Sequence, residues 1–355
     1  MQICEKRTIF TSGKGQCPVY RIPGITITAG GTILVYCEGR SANSDWSATD
    51  ILLRRSDDQG ETWSEPESIA SMQDNSPVNN PVMIAAVDGR VHFLWESQYC
   101  RAFYQKSDDD CKTFSKPVDI TGVLEVYRDK DAFNWNVFAF GPGHGTQLSN
   151  GRLVVPTWLA NGKGRSHSPT VISSIYSDDG GRHWHSGEIQ YKDDDIREMN
   201  ESCMAELSDG SVLFNIRNHS RRFLRAVSLS PNGYDQFSRY MLDEQLPDPV
   251  CCAGMVNGVI EGQRAVLFSN CAVRPAKDNF YDRSRKKLTL RISYDDCKTW
   301  GSSRMLEYRS GYSDIAVSND GKWIYCFYEQ DTDDTFLTEP RHLTIAKVNL
   351  EWLSD

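Results

Sequence analysis

Residues that could carry out chemistry stand at widely separated points of this 355-residue chain. Arginine suits the binding of an anionic group, because its planar and permanently charged guanidinium can donate two parallel hydrogen bonds to a carboxylate. Carboxylates can move protons as general acids or bases, and a tyrosine can act as a nucleophile when a base takes its proton. The candidates of these types are Arg21, Arg217 and Arg285, the carboxylates Asp45, Asp50 and Glu201, and Tyr312.

The immediate surroundings of these residues also fit ordinary structural roles. Arg21 stands two residues before Pro23 and could belong to a turn stiffened by the proline. Arg285 lies in the basic stretch 283–287, which by itself indicates a charged surface. Tyr312 is one of 15 tyrosines, most of which would be packing residues. Whether these residues form one functional site or have separate structural roles therefore depends on the elements that would bring them together.

A phrase that recurs four times indicates those elements. Each copy reads Ser-x-Asp-x-(Gly/Cys)-x-(Thr/His)-(Trp/Phe), at 56–63, 107–114, 177–184 and 293–300. The aspartate and the hydroxyl suit a tight hairpin turn, where their oxygens accept backbone N–H bonds, and the aromatic residue anchors the turn. Two copies carry Cys111 and Cys297 where the others have glycine, so the turn either does not need a left-handed residue there or tolerates strain.

The spacing of the copies predicts a β-propeller. They start at 56, 107, 177 and 293, so the intervals are 51, 70 and 116, and the last is about two units, as if one blade lacks a recognisable copy. A unit of about 55–60 residues divides the chain into about six blades, within the range of known propellers.

Strand and turn signals agree with this architecture. Runs of β-branched and aromatic residues follow Asp-Gly or Asn-Gly pairs, as at 88–89, 150–151, 209–210 and 320–321. No amphipathic helix longer than about two turns stands out. Proline and glycine are scattered and do not mark a linker. We therefore expect an all-β, six-bladed β-propeller in a single domain over residues 1–355.

With these features in place, the chain resembles the sialidase (neuraminidase) superfamily of six-bladed propellers, from about residue 8 to residue 348. The resemblance starts from Tyr20-Arg21-Ile22-Pro23, which precedes the four repeats, known in that family as aspartate boxes. Further stretches resemble particular parts of those proteins. They are 38–40 with 45, 138–144 with 152–156, 201–207 with 215–217, 285–291, and 310–314.

The resemblance implies three catalytic roles. Tyr312 would attack the sugar, Glu201 would accept or share its proton, and Asp45 would protonate the leaving oxygen and then deprotonate water. The substrate of that family is sialic acid, which carries a carboxylate on its anomeric carbon. A neutral tyrosine suits it, because this carboxylate would repel an anionic nucleophile. Asp50 remains an alternative to Asp45, and a solvated surface position remains the alternative interpretation of Glu201.

The resemblance also implies the binding residues. Arg21, Arg217 and Arg285 would converge at the propeller axis on the substrate carboxylate, which relieves their mutual repulsion. Arg283 and Arg274 are the alternatives to Arg285. Three further residues would contact the rest of the sugar, on its hydroxyl side and along its glycerol or acyl arm. They are Arg40, Asn80 and Trp158. For Trp158, a tryptophan packed in the core is the alternative interpretation.

Composition limits the classes of partner. The formal net charge of −9 argues against nucleic acid, whose binding needs basic surface, and no apolar run is long enough to span a membrane. Residues 1–7 lack the order of a signal peptide, and 11 cysteines without a CxxC pair indicate reduced thiols. We expect a cytoplasmic location, with a secreted protein that has lost its leader as the alternative.

These inferences lead to one expected function and two rivals. We expect a retaining exo-α-sialidase that acts on sialylated glycans and needs neither a cofactor nor a metal. A trans-sialidase or a sialidase that forms an anhydro product would use the same residues. A propeller that binds glycans without catalysis could carry aspartate boxes, but would have no need for Tyr312, Glu201 and Asp45 together.

Overall fold

The computed structural model describes residues 1–130, 133–190, 196–275, 285–331 and 341–355, and strands dominate this part of the chain. In chain order the strands are β1 Cys4–Thr11, β2 Val19–Ile27, β3 Ile33–Arg40, β4 Thr49–Ser56, β5 Glu67–Ala70, β6 Val78–Ala85, β7 Val91–Ser97, β8 Arg101–Ser107, β9 Val118–Asp119, β10 Val137–Phe140, β11 Gly143–His144, β12 Thr146–Gln147, β13 Leu153–Ala160, β14 Thr170–Ser177, β15 His185–Ser186, β16 Ser202–Glu206, β17 Val212–Ile216, β18 Leu224–Ser230, β19 Met241–Pro247, β20 Gly254–Ile260, β21 Gln263–Cys271, β22 Lys286–Ser293, β23 Ser302–Val317, β24 Ile324–Gln330 and β25 His342–Val348. The helices are α1 Gly122–Lys130 and α2 Leu350–Leu353.

Antiparallel pairing collects these strands into six groups within the described ranges. Groups 1 to 4 are β2–β5, β6–β9, β10 with β12–β15, and β16–β19, and the short β11 adds to β6 in parallel. The long strand β23 serves two groups, because its residues up to Arg309 pair with β22 and those from Ser310 onward pair with β24. Group 5 is thus β20–β22 with the first half of β23, and group 6 is its second half with β24, β25 and β1.

The six groups form a closed ring. Each group touches the next through its inner strands: β2 contacts β6, β6 contacts β10, β13 contacts β16, β16 contacts β20, and β20 contacts β23. The ring closes where β2 contacts β23 and β24, and β1 completes group 6 by pairing with β25. A ring of antiparallel sheets is a β-propeller. The predicted all-β propeller is confirmed, while the count of six blades remains a prediction that these six groups support.

Burial falls from the inner strands to the outer ones. All eight residues of β3 (Ile33–Arg40) and of β13 (Leu153–Ala160) are buried, whereas both residues of β9 (Val118–Asp119) are exposed. Continuous apolar runs with few charges thus form the middle of each sheet, where both faces are covered by neighbouring sheets. Polar side chains that are buried near the axis must then find partners there, and this is where the candidate residues lie.

The four aspartate boxes form nearly identical turns after the third strand of their groups. In the first, Ser56 Oγ accepts from Gly60 N at 2.8 Å, and Asp58 accepts from Thr62 N at 2.8 Å and from Thr62 Oγ1 at 2.6 Å. A fifth turn of this kind follows β18, where Ser230 Oγ accepts from Gly233 N and Asn232 stands in place of the aspartate. It fills the long interval that the sequence left without a copy.

The two cysteines in the boxes adopt the left-handed conformation, with φ of 58° at Cys111 and 62° at Cys297. The turn therefore does require a left-handed residue, and of the two possibilities raised by the sequence the tolerated strain is correct. All 11 cysteines lie within the described residues, none forms a disulfide, and seven are buried. The expected reduced thiols agree with this arrangement.

Helix α1 is slightly longer than the sequence led us to expect. It has nine residues, with Leu124 and Tyr127 fully buried and Val123 packed beside them against the core between groups 2 and 3. Three apolar positions at helical spacing make a face too short to stand out in the sequence. Neither described helix has the length and apolar character needed to cross a membrane.

Candidate active site

A cavity of about 490 Å³ opens at the axis of the ring, and strands or loops of all six groups line it. All nine of the predicted site residues lie in its wall. They are Arg21, Arg40, Asp45, Asn80, Trp158, Glu201, Arg217, Arg285 and Tyr312. A larger depression of about 940 Å³ lies between groups 2 and 3, around Trp184 of the third box, and it contains none of them.

Tyr312 and Glu201 are joined by a short hydrogen bond. Tyr312 Oη donates to Glu201 Oε1 at 2.5 Å and accepts from Arg217 Nη1 at 2.7 Å, while Arg217 also pairs with the other oxygen of Glu201. Burial raises the pKa of Tyr312 well above its ordinary value, and the charge of Arg217 opposes the rise. The tyrosine is thus a neutral phenol whose proton points at a carboxylate.

The local backbone places Tyr312 where it can reach Glu201. Strand β23 shifts register between Ser310 and Ser313, and the irregularity turns the tyrosine toward the axis. Gly311 is required in this bulge, because a Cβ there would collide with the carboxylate of Glu329.

Three arginines surround the ring of Tyr312. The guanidinium carbons of Arg285, Arg21 and Arg217 lie 4.8, 5.5 and 5.9 Å from its centroid. Among the described residues, Nε of Arg217 is buried and has no hydrogen-bond partner. Cations held this close together repel one another, so the arrangement favours an anion placed between them.

Glu329, which sequence reasoning missed, holds two of these residues in place. Its Oε1 accepts from Arg21 Nε at 2.8 Å, and its Oε2 accepts from the backbone N of Tyr312 at 2.9 Å. Burial opposes its ionisation, but Arg21 and Arg285 outweigh that effect and lower its pKa. The residue stands near the end of an apolar strand, and nothing in the sequence around it indicates an active-site carboxylate.

Asp45 lies in the wall of the same cavity and pairs with Arg40. Arg40 Nη1 donates to Asp45 Oδ1 at 2.8 Å, and Arg40 is itself held by the fully buried Glu38, with Nε donating to Oε2 at 2.6 Å. Burial opposes ionisation of Asp45, yet Arg40 and then Arg21 lower its pKa below the ordinary value. Asp50, the alternative acid, is on β4 outside the cavity, where it accepts from Ser68 Oγ at 3.3 Å.

Asn80 enters the cavity wall through the same cluster. Its backbone N donates to Glu38 Oε1 at 2.7 Å, and its φ of 44° places it in the left-handed region. Its neighbour Asn79 donates to the backbone oxygen of Asp45 at 3.2 Å. Glu38 thus fixes both Arg40 and the irregularity of β6 that carries Asn80, a role that the sequence did not reveal.

An aromatic wall, formed by Trp46, Tyr99, Trp158 and His167, covers the side of the cavity next to Asp45. The ring of His167 lies 4.8 Å from Tyr99, 5.5 Å from Trp158 and 5.7 Å from Trp46, measured between centroids. Within the described residues, the buried Nε1 of Trp158 has no hydrogen-bond partner. Trp158 was predicted; the position of Trp46 directly after Asp45 is the one sequence signal that could have indicated another member.

The remaining alternatives lie away from the cavity or outside the described residues. Arg274 is exposed and pairs with Glu244 at 3.2 Å, and Arg283 lies outside the described residues. Within those residues no three His, Cys, Asp or Glu side chains are grouped so that they could hold a metal ion. The residues that line the cavity offer protons, a phenol oxygen and cationic donors as its chemistry.

Known proteins share both the sequence pattern and the fold. Residues 31–325 match the family described as BNR repeat-like domain. A sialidase of Micromonospora viridifaciens is 28% identical, over 98% of this chain and 54% of that protein, so the chain spans about half the length of this relative.

Two solved structures have the same fold at lower identity. The Hadza microbial sialidase Hz136 superposes with a TM-score of 0.75 at 22% identity, over 95% of this chain and 67% of that one. A leech intramolecular trans-sialidase complexed with 2,7-anhydro-Neu5Ac superposes with a TM-score of 0.80 at 16% identity, over 99% of this chain and 71% of that one.

Proposed function

Because this chain belongs to the BNR repeat-like domain family, within the sialidase superfamily, we propose that it is a retaining exo-α-sialidase. It would hydrolyse terminal sialic acid from glycoproteins, glycolipids or sialyl-oligosaccharides, without a cofactor. The observation that carries this proposal is the hydrogen bond of 2.5 Å between Tyr312 and Glu201 in the middle of three arginines.

Binding would begin with the sialic acid carboxylate. Arg21, Arg217 and Arg285 converge from groups 1, 4 and 5, and the carboxylate would accept hydrogen bonds from their guanidinium groups, including Arg217 Nε, which has no partner among the described residues. This contact places the anomeric carbon next to Tyr312. Holding the reacting atoms together in this way replaces a bimolecular encounter, which is one of the largest contributions to catalysis.

The first chemical step would form a bond from Tyr312 Oη to the anomeric carbon. The phenol proton passes to Glu201 as the bond forms, and the glycosidic bond breaks with its electron pair on the leaving oxygen. The burial that keeps Tyr312 protonated also keeps the nucleophile neutral, so the substrate carboxylate does not repel it. Glu201 is the only carboxylate among the described residues that accepts a hydrogen bond from this phenol.

Asp45 would supply the proton to the leaving oxygen. In the unliganded site its ion pair with Arg40 favours the carboxylate form, so the acid role requires that a bound substrate weaken this pair or raise the pKa of Asp45 by excluding water. In the second step Asp45 would take a proton from water, the water oxygen would bond to the anomeric carbon, and Tyr312 would leave and recover its proton from Glu201. Two displacements retain the configuration.

The test is release of 4-methylumbelliferone from its α-sialoside, with the sugar product followed by proton NMR. Tyr312→Phe should lower kcat by at least about 10²-fold, the smaller end of what one catalytic proton transfer contributes. Tyr308→Phe, on the same strand but half exposed, is the matched control and should behave like the wild type.

The product and the wild-type rate together decide the reaction. Appearance of α-sialic acid before the β-anomer supports the retaining hydrolase. A 2,7-anhydro or transferred product would replace hydrolysis with another reaction at the same residues. A folded wild type that releases no methylumbelliferone would contradict the enzymatic proposal and favour a glycan-binding propeller.

A further inference from the structure

An exposed arginine packs on Trp46, a residue of the cavity wall next to Asp45. Arg165 belongs to the loop between β13 and β14, and its guanidinium carbon lies 4.6 Å from the ring centroid of Trp46. Trp46 directly follows Asp45 and forms part of the aromatic wall. The tryptophan ring thus holds a cation in a defined place beside the residue proposed as the acid.

This cation has no anionic partner in the described part of the chain. No ion pair or hydrogen bond joins the Arg165 side chain to a described residue, and the two carboxylates of the neighbouring segments are already engaged. Asp45 pairs with Arg40, and Glu198 accepts from Ser168 Oγ at 2.7 Å and from Thr170 N at 3.2 Å. A charge held in place beside a cavity without an ionic partner raises the local concentration of ligands of opposite sign.

The position of Arg165 identifies which part of the substrate it would meet. If Asp45 protonates the leaving oxygen, the leaving group must lie on the side of Asp45, next to Trp46 and Arg165. The carboxylate of the sialic acid itself would be held by the three arginines around Tyr312. Arg165 is therefore placed to meet an anion carried by the leaving group.

We propose that Arg165, held over Trp46, binds a carboxylate on the leaving group, so that the enzyme favours sialic acid linked to a second acidic sugar, as in an α2,8-linked disialyl glycan. This inference rests on the proposed sialidase function. It concerns the specificity of the reaction for its leaving group.

The test needs two substrates that differ in charge and hardly in reactivity. Two phenyl α-sialosides, one with a meta-CH₂COO⁻ group and one with meta-CH₂CONH₂, fit this need, because the methylene separates the charge from the phenol that leaves. The measured quantity is the ratio of kcat/KM for the anionic substrate to kcat/KM for the amide. At low salt we expect a ratio of about three to five in the wild type, as for one partly exposed charge pair.

Three variants and a change in salt concentration test whether the raised ratio of kcat/KM values comes from the charge of Arg165. Arg165→Ala should bring the ratio to about one, and Arg165→Lys should keep part of it, because the charge remains while the flat stacking surface is lost. Arg182→Ala removes an equal charge from the exposed third box, outside the catalytic cavity, and should leave the ratio of the wild type. Raising NaCl to about 0.5 M should lower the wild-type ratio, since salt screens exposed charges.

The outcomes separate the two proposals. A wild type that cleaves both sialosides with a ratio near one, or a raised ratio that survives in Arg165→Ala, would overturn the role of Arg165 and leave the sialidase function standing. A ratio that falls equally in Arg182→Ala would also overturn it, because the effect would then come from net charge. A folded wild type that cleaves neither sialoside would overturn the proposed function, and this inference with it. In the expected case, α2,8-disialyl-lactose should then lose its terminal sugar faster than 3′-sialyllactose in the wild type, and Arg165→Ala should reduce that advantage.

Discussion

The aspartate boxes and the cavity at the axis both depend on carboxylates, but the hydrogen-bond partners of these carboxylates come from different distances along the chain. In a box, the aspartate accepts from a threonine or histidine four residues later, so one short turn contains both partners. In the cavity, Glu201 meets Tyr312 from 111 residues away, and Glu329 meets Arg21 across 308 residues. A box can therefore form wherever its own sequence occurs, whereas the cavity exists only when the whole ring has closed.

The two regions also differ in what controls ionisation. The box residues Asp58 and Asp109 are exposed and Asp295 is partly exposed, and hydrogen bonds from threonine lower the pKa of all three carboxylates to about 2. At the axis, burial opposes the charged form of Glu329 and neighbouring arginines restore it. A change in the cavity should thus act on activity through charge balance, and a change in a box should act on stability alone.

Glu329→Gln should have the largest effect of the substitutions that compare the two regions. The amide keeps the shape of the side chain but removes the charge that holds Arg21, and Arg21 is then free to turn away from the substrate carboxylate. Loss of one charge-assisted contact of this kind costs about 1.5–3 kcal/mol, so kcat/KM for the methylumbelliferyl sialoside should fall about 10- to 100-fold. The measurement is steady-state kinetics, with the melting temperature as a check on folding.

Glu244→Gln is the control for this prediction. Glu244 also binds arginines, Arg222 and Arg274, but at an exposed site away from the cavity. It should leave kcat/KM unchanged. If Glu329→Gln kept full activity in a folded protein, Arg21 would not depend on this carboxylate, and the long-range support of the cavity would have to come from elsewhere.

The contrast between local and distant partners also explains what could be predicted of the fold. Four boxes and the strand runs predicted an all-β propeller, because both signals are contained in short segments. The fifth turn at Ser230 escaped detection because Asn232 replaces the aspartate, although the serine and asparagine oxygens again accept backbone N–H bonds, at a shorter spacing. The continuity of β23 through two groups could not be foreseen either, since the pairing of each half depends on distant strands.

The site was predictable only where a known family marks its positions. All nine predicted residues line the cavity, although their catalytic and binding roles remain proposals. Glu38 and Glu329 were missed because their contacts with Asn80 and Arg21 span 42 and 308 residues. His167 was missed because only the folded chain brings it against Trp46, Tyr99 and Trp158. The single-domain organisation and the cytoplasmic location likewise remain predictions, because no contact in the described residues bears on them.

A box carboxylate should affect stability with a definite pH dependence. The pKa of Asp109 is about 2, against an ordinary value of 3.8, because Thr113 donates two hydrogen bonds to it. A lowered pKa means that the carboxylate stabilises the fold above pH 3.8 and that this contribution is lost as the pH falls toward 2. Asp109→Asn should therefore lower the melting temperature at pH 6, and its difference from the wild type should shrink as the pH approaches 3.

The neighbouring Asp108 provides the matched control. It is exposed, and within the described ranges its ion pairs are long, at 3.6 Å to Arg90 and 3.7 Å to Lys106. Asp108→Asn should change the melting temperature little at either pH, and neither variant should change kcat/KM. A difference for Asp109→Asn that stayed constant from pH 6 to pH 3 would mean that the charge of this carboxylate does not stabilise the turn.

The smallest effect concerns backbone strain within one box. Cys297 is half-buried and has a φ of 62°, a conformation that disfavours any residue with a Cβ. Alanine keeps the Cβ and glycine removes it, so Cys297→Gly should be more stable than Cys297→Ala. The left-handed penalty of about 1–2 kcal/mol, less the chain entropy that glycine loses on folding, leaves a difference of about 0.5–1 kcal/mol.

Urea denaturation of both variants measures this difference, and Cys100 supplies the reversed control. Cys100 is exposed and does not adopt a positive φ, so Cys100→Ala should be more stable than Cys100→Gly, because only the entropy term remains. If alanine were the more stable replacement at both positions, the turn around Cys297 would relax without strain. The boxes would then tolerate cysteine because their hydrogen bonds reshape the backbone at little cost in free energy. A box would thus adapt to a substitution locally, whereas the cavity depends on closure of the whole ring.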